Sequence, residues 1–135
     1  QSRLARDLEE VELEARRDRV RSTLGAVAAR LSERRTTAAV RLGTAVSDEL
    51  TAVCPITNQP DFYTATIAYR PIGHCLESKS LKIYLSRFHD QGAFCEALAV
   101  RIRGEVAAAL ELDVTAVEVS LRQKARGGIT ITAFA

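Results

Sequence analysis

Cys54 stands in the segment Thr51-Ala52-Val53-Cys54-Pro55-Ile56-Thr57-Asn58-Gln59-Pro60-Asp61-Phe62. Two prolines and an asparagine constrain this loop, and loops held by a scaffold are where reacting groups concentrate. A cysteine there is a candidate nucleophile, provided that its thiolate is favoured. Asp61, seven residues on, is a candidate proton source. The plainer alternative is a buried structural cysteine beside a turn-capping aspartate. Lys79 and Lys82 lie three residues apart in Glu77-Ser78-Lys79-Ser80-Leu81-Lys82, so on a helix they share a face. Two cations near a helix start could hold phosphate, and Arg126, just before Gly127-Gly128, could add a third. The competing reading is a solvated charged face. It is weakened because these are two of the three lysines in an arginine-rich chain. Glu96 sits where a helix dipole favours a carboxylate, and its oxygens could accept from a guanine-like edge with two adjacent N–H donors. An ordinary helix-start glutamate is the simpler alternative. His74 and His89 read as isolated surface residues.

The elements that must position these groups follow from periodicity. Thr37–Gly43 reads as a strand, and Phe62–Arg70 alternates apolar and polar residues as a second. Ser78–Phe88 and Ala93–Leu110 carry helical spacing, the latter with Phe94, Leu98, Ile102 and Val106 on one stripe. Thr115–Arg122 alternates again, Gly127-Gly128 marks a tight backbone passage, and Ile129–Phe134 is a last strand. This order, β-β-α-α-β-β, predicts an α+β fold: an antiparallel sheet with helices on one face. Upstream, Leu4, Leu8, Val11 and Ala15, then Val20, Leu24, Val27 and Leu31, form a helical stripe with a phase slip between them. So polar a helix is marginal alone, which favours contact with another subunit over packing on its own domain.

Composition divides the chain at the same place. Residues 1–35 hold nine arginines, seven acidic residues and no aromatic, whereas all seven aromatics fall between Phe62 and Phe134. The expected organisation is a charged helical extension over 1–35 and a packed domain over 36–135. The 135 residues, 47% hydrophobic, can bury a real core and exclude a wholly disordered chain. A net charge of +2 gives no reason to expect direct nucleic-acid binding. No apolar run is long enough to span a membrane, and the N-terminus does not read as a secretory signal, which points to the cytoplasm. Three cysteines without a CxxC pair fit neither a disulfide framework nor a structural metal site.

Four separated motifs in order, ELTAVCPITNQPDF, LESKSLKIYLSRF, GAFCE and RGGI, resemble those of the QueF-type 7-cyano-7-deazaguanine reductases over residues 36–134. The resemblance implies a tunnelling fold whose subunits close into rings with sites between neighbours. It predicts a homo-oligomer of pentameric rings, which could stack to a decamer. It implies reduction of a nitrile on a 7-deazaguanine to a primary amine with NADPH, on the route to queuosine in tRNA. By position, Cys54 matches the thioimide-forming nucleophile and Asp61 the proton donor. Leu76, Glu77 and Ser78 match a substrate-binding stretch, with Glu96 as the carboxylate that grips the base. Lys79, Lys82 and Arg126 fall in stretches associated with NADPH, and no metal is implied. The chain departs from the pattern in three places. Asn58 replaces a usual glycine, His89 a usual arginine, and Cys95 a usual histidine at the substrate site. Cys95 is therefore expected near substrate and, under oxidant, within disulfide reach of Cys54. Two alternatives remain: an amidine-forming relative that keeps the thioimide without hydride transfer, and a non-catalytic purine-binding ring protein. A cyclohydrolase relative shares the fold, but no convincing zinc ligand set accompanies it here.

Overall fold

The computed structural model describes Val11 and residues 41–135. The expected N-terminal helix, its subunit contacts and the first part of the expected Thr37–Gly43 strand lie outside the described residues. Four strands and two helices follow in chain order: β1 (Gly43–Val53), β2 (Pro60–Tyr69), α1 (Ser78–Ser86), α2 (Cys95–Ala109), β3 (Val117–Gln123) and β4 (Thr132–Phe134). The sheet is antiparallel throughout, in the order β1-β2-β3-β4. The predicted α+β order therefore holds. Among the described residues no helix is long and apolar enough to cross a membrane.

Alternation along the strands determines which face is covered. On β2, Asp61, Tyr63, Ala65, Ile67 and Tyr69 are buried; on β3, so are Val117, Val119 and Leu121. Residues between them are more exposed, as expected for a sheet packed on one side. Helix α1 contributes Leu81, Tyr84 and Leu85, and α2 contributes Leu98, Ala99, Ile102 and Val106. Burying each of the larger aliphatic side chains contributes on the order of 1.5–3 kcal/mol. One expectation fails at the start of α2. Phe94 caps the helix from an extended conformation and is exposed, so Cys95 takes the first buried place in the stripe.

The first strand differs from its prediction. Arg41 and Leu42 are not in the sheet, and β1 runs on to Val53. Ser47 faces Ala65 and Leu50 faces Tyr63, so β1 spends three steps where β2 spends two. That extra residue is a β-bulge. It moves the inward positions from Gly43, Ala45 and Ser47 to Leu50 and Ala52. The alternation that betrays a strand is broken in the middle, at Asp48 and Glu49. The other ends move less. A single 3-10 turn, Val114–Ala116, delays β3 by two residues, and β4 is confined to Thr132–Phe134.

Candidate active site

Inward phase carries past the end of β1 to Cys54, two residues beyond buried Ala52. The hairpin that follows is closed by Cys54 N–H donating to the Gln59 carbonyl (2.8 Å) and Asn58 N–H donating to the Cys54 carbonyl (2.9 Å). Asn58 adopts φ 56°, a left-handed conformation that asparagine tolerates better than most residues. Asn58 thus takes up the backbone shape for which the resemblance led one to expect glycine. Inside the turn the sulfur meets donors. The Thr57 hydroxyl first, then the N–H groups of Thr57 and Ile56, lower the Cys54 pKa to about 7, and the Arg126 charge adds to this. A thiol so placed is substantially ionised near neutrality.

Asp61 lies directly across the hairpin, paired with Ala52 in the ladder. Its carboxylate is buried and held by two side chains from the far end of β3. Gln123 Nε2 donates to Oδ1 at 3.1 Å, and the Arg126 guanidinium forms an ion pair with the same oxygen. Arg126 also donates to Gln59 Oε1 (2.6 Å) and to the Pro60 carbonyl (3.3 Å), tying its own loop to the hairpin. Gly127 and Gly128 follow at φ 62° and 77°, left-handed conformations that side chains resist although the space around both is open, so the passage is not the tight one expected. Arg126, expected among cofactor ligands, is thus engaged by the Asp61 side of the hairpin.

The loop after α1 completes this end of the molecule. Val53 N–H donates to the Gln91 carbonyl (2.9 Å) and Ala93 N–H to the Val53 carbonyl (3.1 Å). This short parallel bridge sets the start of α2 beside the nucleophile. Arg101 anchors it by donating to Gln91 Oε1 (2.7 Å) and to Glu105 Oε1 (3.1 Å), and it lies 5.0 Å from the Phe88 ring centre. Glu105 in turn accepts from the Tyr84 hydroxyl of α1. Burial, together with that carboxylate, pushes the Tyr84 pKa strongly up. Glu96 is exposed in the first turn of α2. Cys95 is buried, its thiol donating to the Leu121 carbonyl at 3.6 Å, and burial raises its pKa. All three cysteines are free. A buried thiol with a raised pKa that donates to β3 is a weaker nucleophile than the Cys54 sulfur.

The remaining sequence-derived residues gather elsewhere, around α1. Glu77 caps the helix, its two carboxylate oxygens accepting from Lys79 N–H (3.1 Å) and Ser80 N–H (2.9 Å). Leu76 N–H donates to the Tyr69 hydroxyl (3.0 Å). Leu76, Ser78 and Lys82 line a groove of about 640 Å³ between α1 and the upper half of β1, with Asp48 and Glu49 on the strand side. Lys79 and Lys82 are exposed, and neither forms an ion pair among the described residues. His89 Nδ1 lies 2.8 Å from the Ser86 carbonyl. The structure thus joins Cys54, Asp61 and Arg126 with the start of α2, and groups Leu76, Ser78 and Lys82 in a separate groove. Sequence reasoning missed Thr57 and Gln123. An amide at the end of an alternating strand was the available signal for Gln123.

A cysteine of lowered pKa in a proline-flanked hairpin, with a buried carboxylate across the strand pair, makes a candidate thiolate site on an antiparallel α+β sheet. A family model described as QueF-like protein matches residues 60–135. A curated relative from Frankia casuarinae, named NADPH-dependent 7-cyano-7-deazaguanine reductase, is 48% identical over 85 residues, covering 63% of this chain and 66% of the relative. One of the same name from Chlorobium chlorochromatii is 45% identical over 87 residues, covering 64% and 73%. The crystal structure of an apo archaeosine synthase QueF-Like superposes with a TM-score of 0.63 at 22% identity, covering 71% of this chain and 92% of that one, a likeness of fold. The chain belongs to the QueF-like family.

Proposed function

We propose that this protein is a cytoplasmic NADPH-dependent reductase of the nitrile of 7-cyano-7-deazaguanine, acting on the route to queuosine through a Cys54 thioimide. The observation that carries the reading is the Cys54 sulfur, held near neutrality in its ionisation by the turn around it. The relatives named as 7-cyano-7-deazaguanine reductases supply the substrate and cofactor.

The thiolate adds to the nitrile carbon. The S–H bond and one π bond of the nitrile are lost, and a C–S and an N–H bond form. Asp61 passes the proton to nitrogen. In the free chain its carboxylate is engaged by Arg126 and Gln123, so this role requires the ion pair to part. Glu96, exposed and at a helix start, takes the guanine-like edge. Leu76, Glu77 and Ser78 contribute from the α1 groove. Cys54 and this groove belong to different parts of one subunit, which fits a site completed by a neighbour in a ring. Two molecules of NADPH, bound in succession, would supply the two hydrides that a nitrile-to-amine reduction consumes, one from each. Lys79 and Lys82 suit its phosphates, being exposed cations on one helix with no ion-pair partner among the described residues.

The test uses 7-cyano-7-deazaguanine without NADPH. Intact mass should rise by one substrate per subunit, Cys54→Ala should abolish the adduct, and Cys75→Ala should retain it. Asp61→Asn should slow adduct formation and keep binding. Added NADPH should clear the adduct to the amine with two equivalents oxidised. An adduct that persists with NADPH and is released by ammonia would instead mark an amidine-forming enzyme. An adduct on Cys54→Ala would sink the assignment.

A further inference from the structure

Tyr63 occupies the inner face of β2, two residues from Asp61, and has no exposed surface. Its ladder neighbours are Leu50 on β1 and Gln123, the residue that holds Asp61, on β3. Its hydroxyl is buried and bonds nothing in the described structure. An unmade hydrogen bond of this kind typically costs about 1–3 kcal/mol, and phenylalanine would fill the same space without it. Other buried side chains at this end of the molecule have found partners. Asp61 has Gln123 and Arg126, and Cys95 has the Leu121 carbonyl.

We propose that the Tyr63 hydroxyl is a substrate-binding group, donating a hydrogen bond to the purine-like ligand held between Cys54 and Glu96. The inference rests on the function proposed above and adds a recognition residue to it. Three arguments support the assignment. Tyr63 lies within electrostatic reach of Cys95, Glu96 and Cys54, the groups that surround the start of α2 and the hairpin. Burial, reinforced by those groups, pushes its pKa up to about 12, so it remains a protonated donor at any working pH. Cys95, the other candidate on this side, already donates its thiol to the Leu121 carbonyl, whereas the Tyr63 hydroxyl has no partner among the described residues. The hydroxyl has no accessible surface in the single subunit, so a ligand beside the half-buried Cys54 meets it only when the packing over it parts.

The variant is Tyr63→Phe, compared with wild type in three measurements. Thermal unfolding should give an equal or higher midpoint, because an unpaired polar atom is removed. Calorimetric binding of 7-cyano-7-deazaguanine should be about tenfold weaker when Tyr63→Phe is added to a Cys54→Ala background, the loss of one good hydrogen bond. The thioimide should form more slowly in the single variant at subsaturating ligand. A lowered unfolding midpoint would show that the hydroxyl serves the fold through a buried water, and would overturn the proposal. So would unchanged affinity and adduct rate. Wild type that binds the nitrile yet forms no adduct removes the thioimide but leaves the calorimetric test of Tyr63 intact. Wild type that does not bind it at all overturns both.

Discussion

Thr57 and Cys54 together set the pH at which the sulfur becomes reactive. The thiolate is present above its pKa and lost as pH falls below it, so alkylation of Cys54 by iodoacetamide should show a midpoint near pH 7. Thr57→Val removes the largest stabilising contact and should move that midpoint upward, slowing alkylation at pH 7 by about tenfold if the thiol approaches its free value. An unshifted midpoint would show that the backbone N–H groups suffice. At this scale Cys54 and Asp61 stood out as candidates because prolines and an asparagine crowd one short segment. Their partners did not. Gln123 and Arg126 are more than sixty residues away from Asp61 in sequence, and only the β2–β3 ladder brings them to it.

The three-sided clamp of Arg101, Glu105 and Gln91 acts on the site through an element that carries no chemistry. It fixes the loop whose Gln91 carbonyl receives Val53 N–H, one residue before the nucleophile. Glu105→Ala would leave the buried Tyr84 hydroxyl without its acceptor and free Arg101, costing about 1–3 kcal/mol. Denaturant unfolding measures the loss. Hydrogen exchange should show the Val53 amide opening faster, while amides in the middle of β2 follow global stability alone. The elements themselves were largely readable, because α1, α2, β2 and β3 keep one period along their length. β1 was not, because its period changes at the bulge and two acidic residues sit there. The caps were also hidden. Phe94 looked like the first member of a stripe, and the capping role of Glu77 went unread, because type and spacing do not show where a helix begins.

At the scale of the whole molecule, the sheet has helices on its inner face, and among the described residues no strand pairs with the outer edges of β1 and β4. Unpaired strand edges favour association, and natural proteins close or protect them. Val46 on the edge strand and Phe62 and Phe134 elsewhere on the sheet are large apolar side chains left exposed in the single subunit. A homo-oligomer is therefore the expected state in solution. Light scattering at micromolar concentration should give a mass several times that of one chain, and a monomer would contradict it. Val46→Lys should shift that mass downward without lowering the unfolding free energy of the subunit by more than a few tenths of a kcal/mol, as is usual for exposed positions.

The irregularity in β1 gives the strand two halves that can vary separately. Leu50–Val53 are locked to the core and to the hairpin that aims the sulfur, while Thr44–Glu49 line the groove beside α1. In an unbroken strand, gaining or losing one residue would flip every side chain beyond it to the opposite face. Here the surplus residue already sits at the junction. A deletion at Asp48 or Glu49 would re-aim the groove wall and leave the nucleophile's frame untouched. The groove wall can thus drift by changes of length as well as of side chain, without moving the hairpin at the strand's other end.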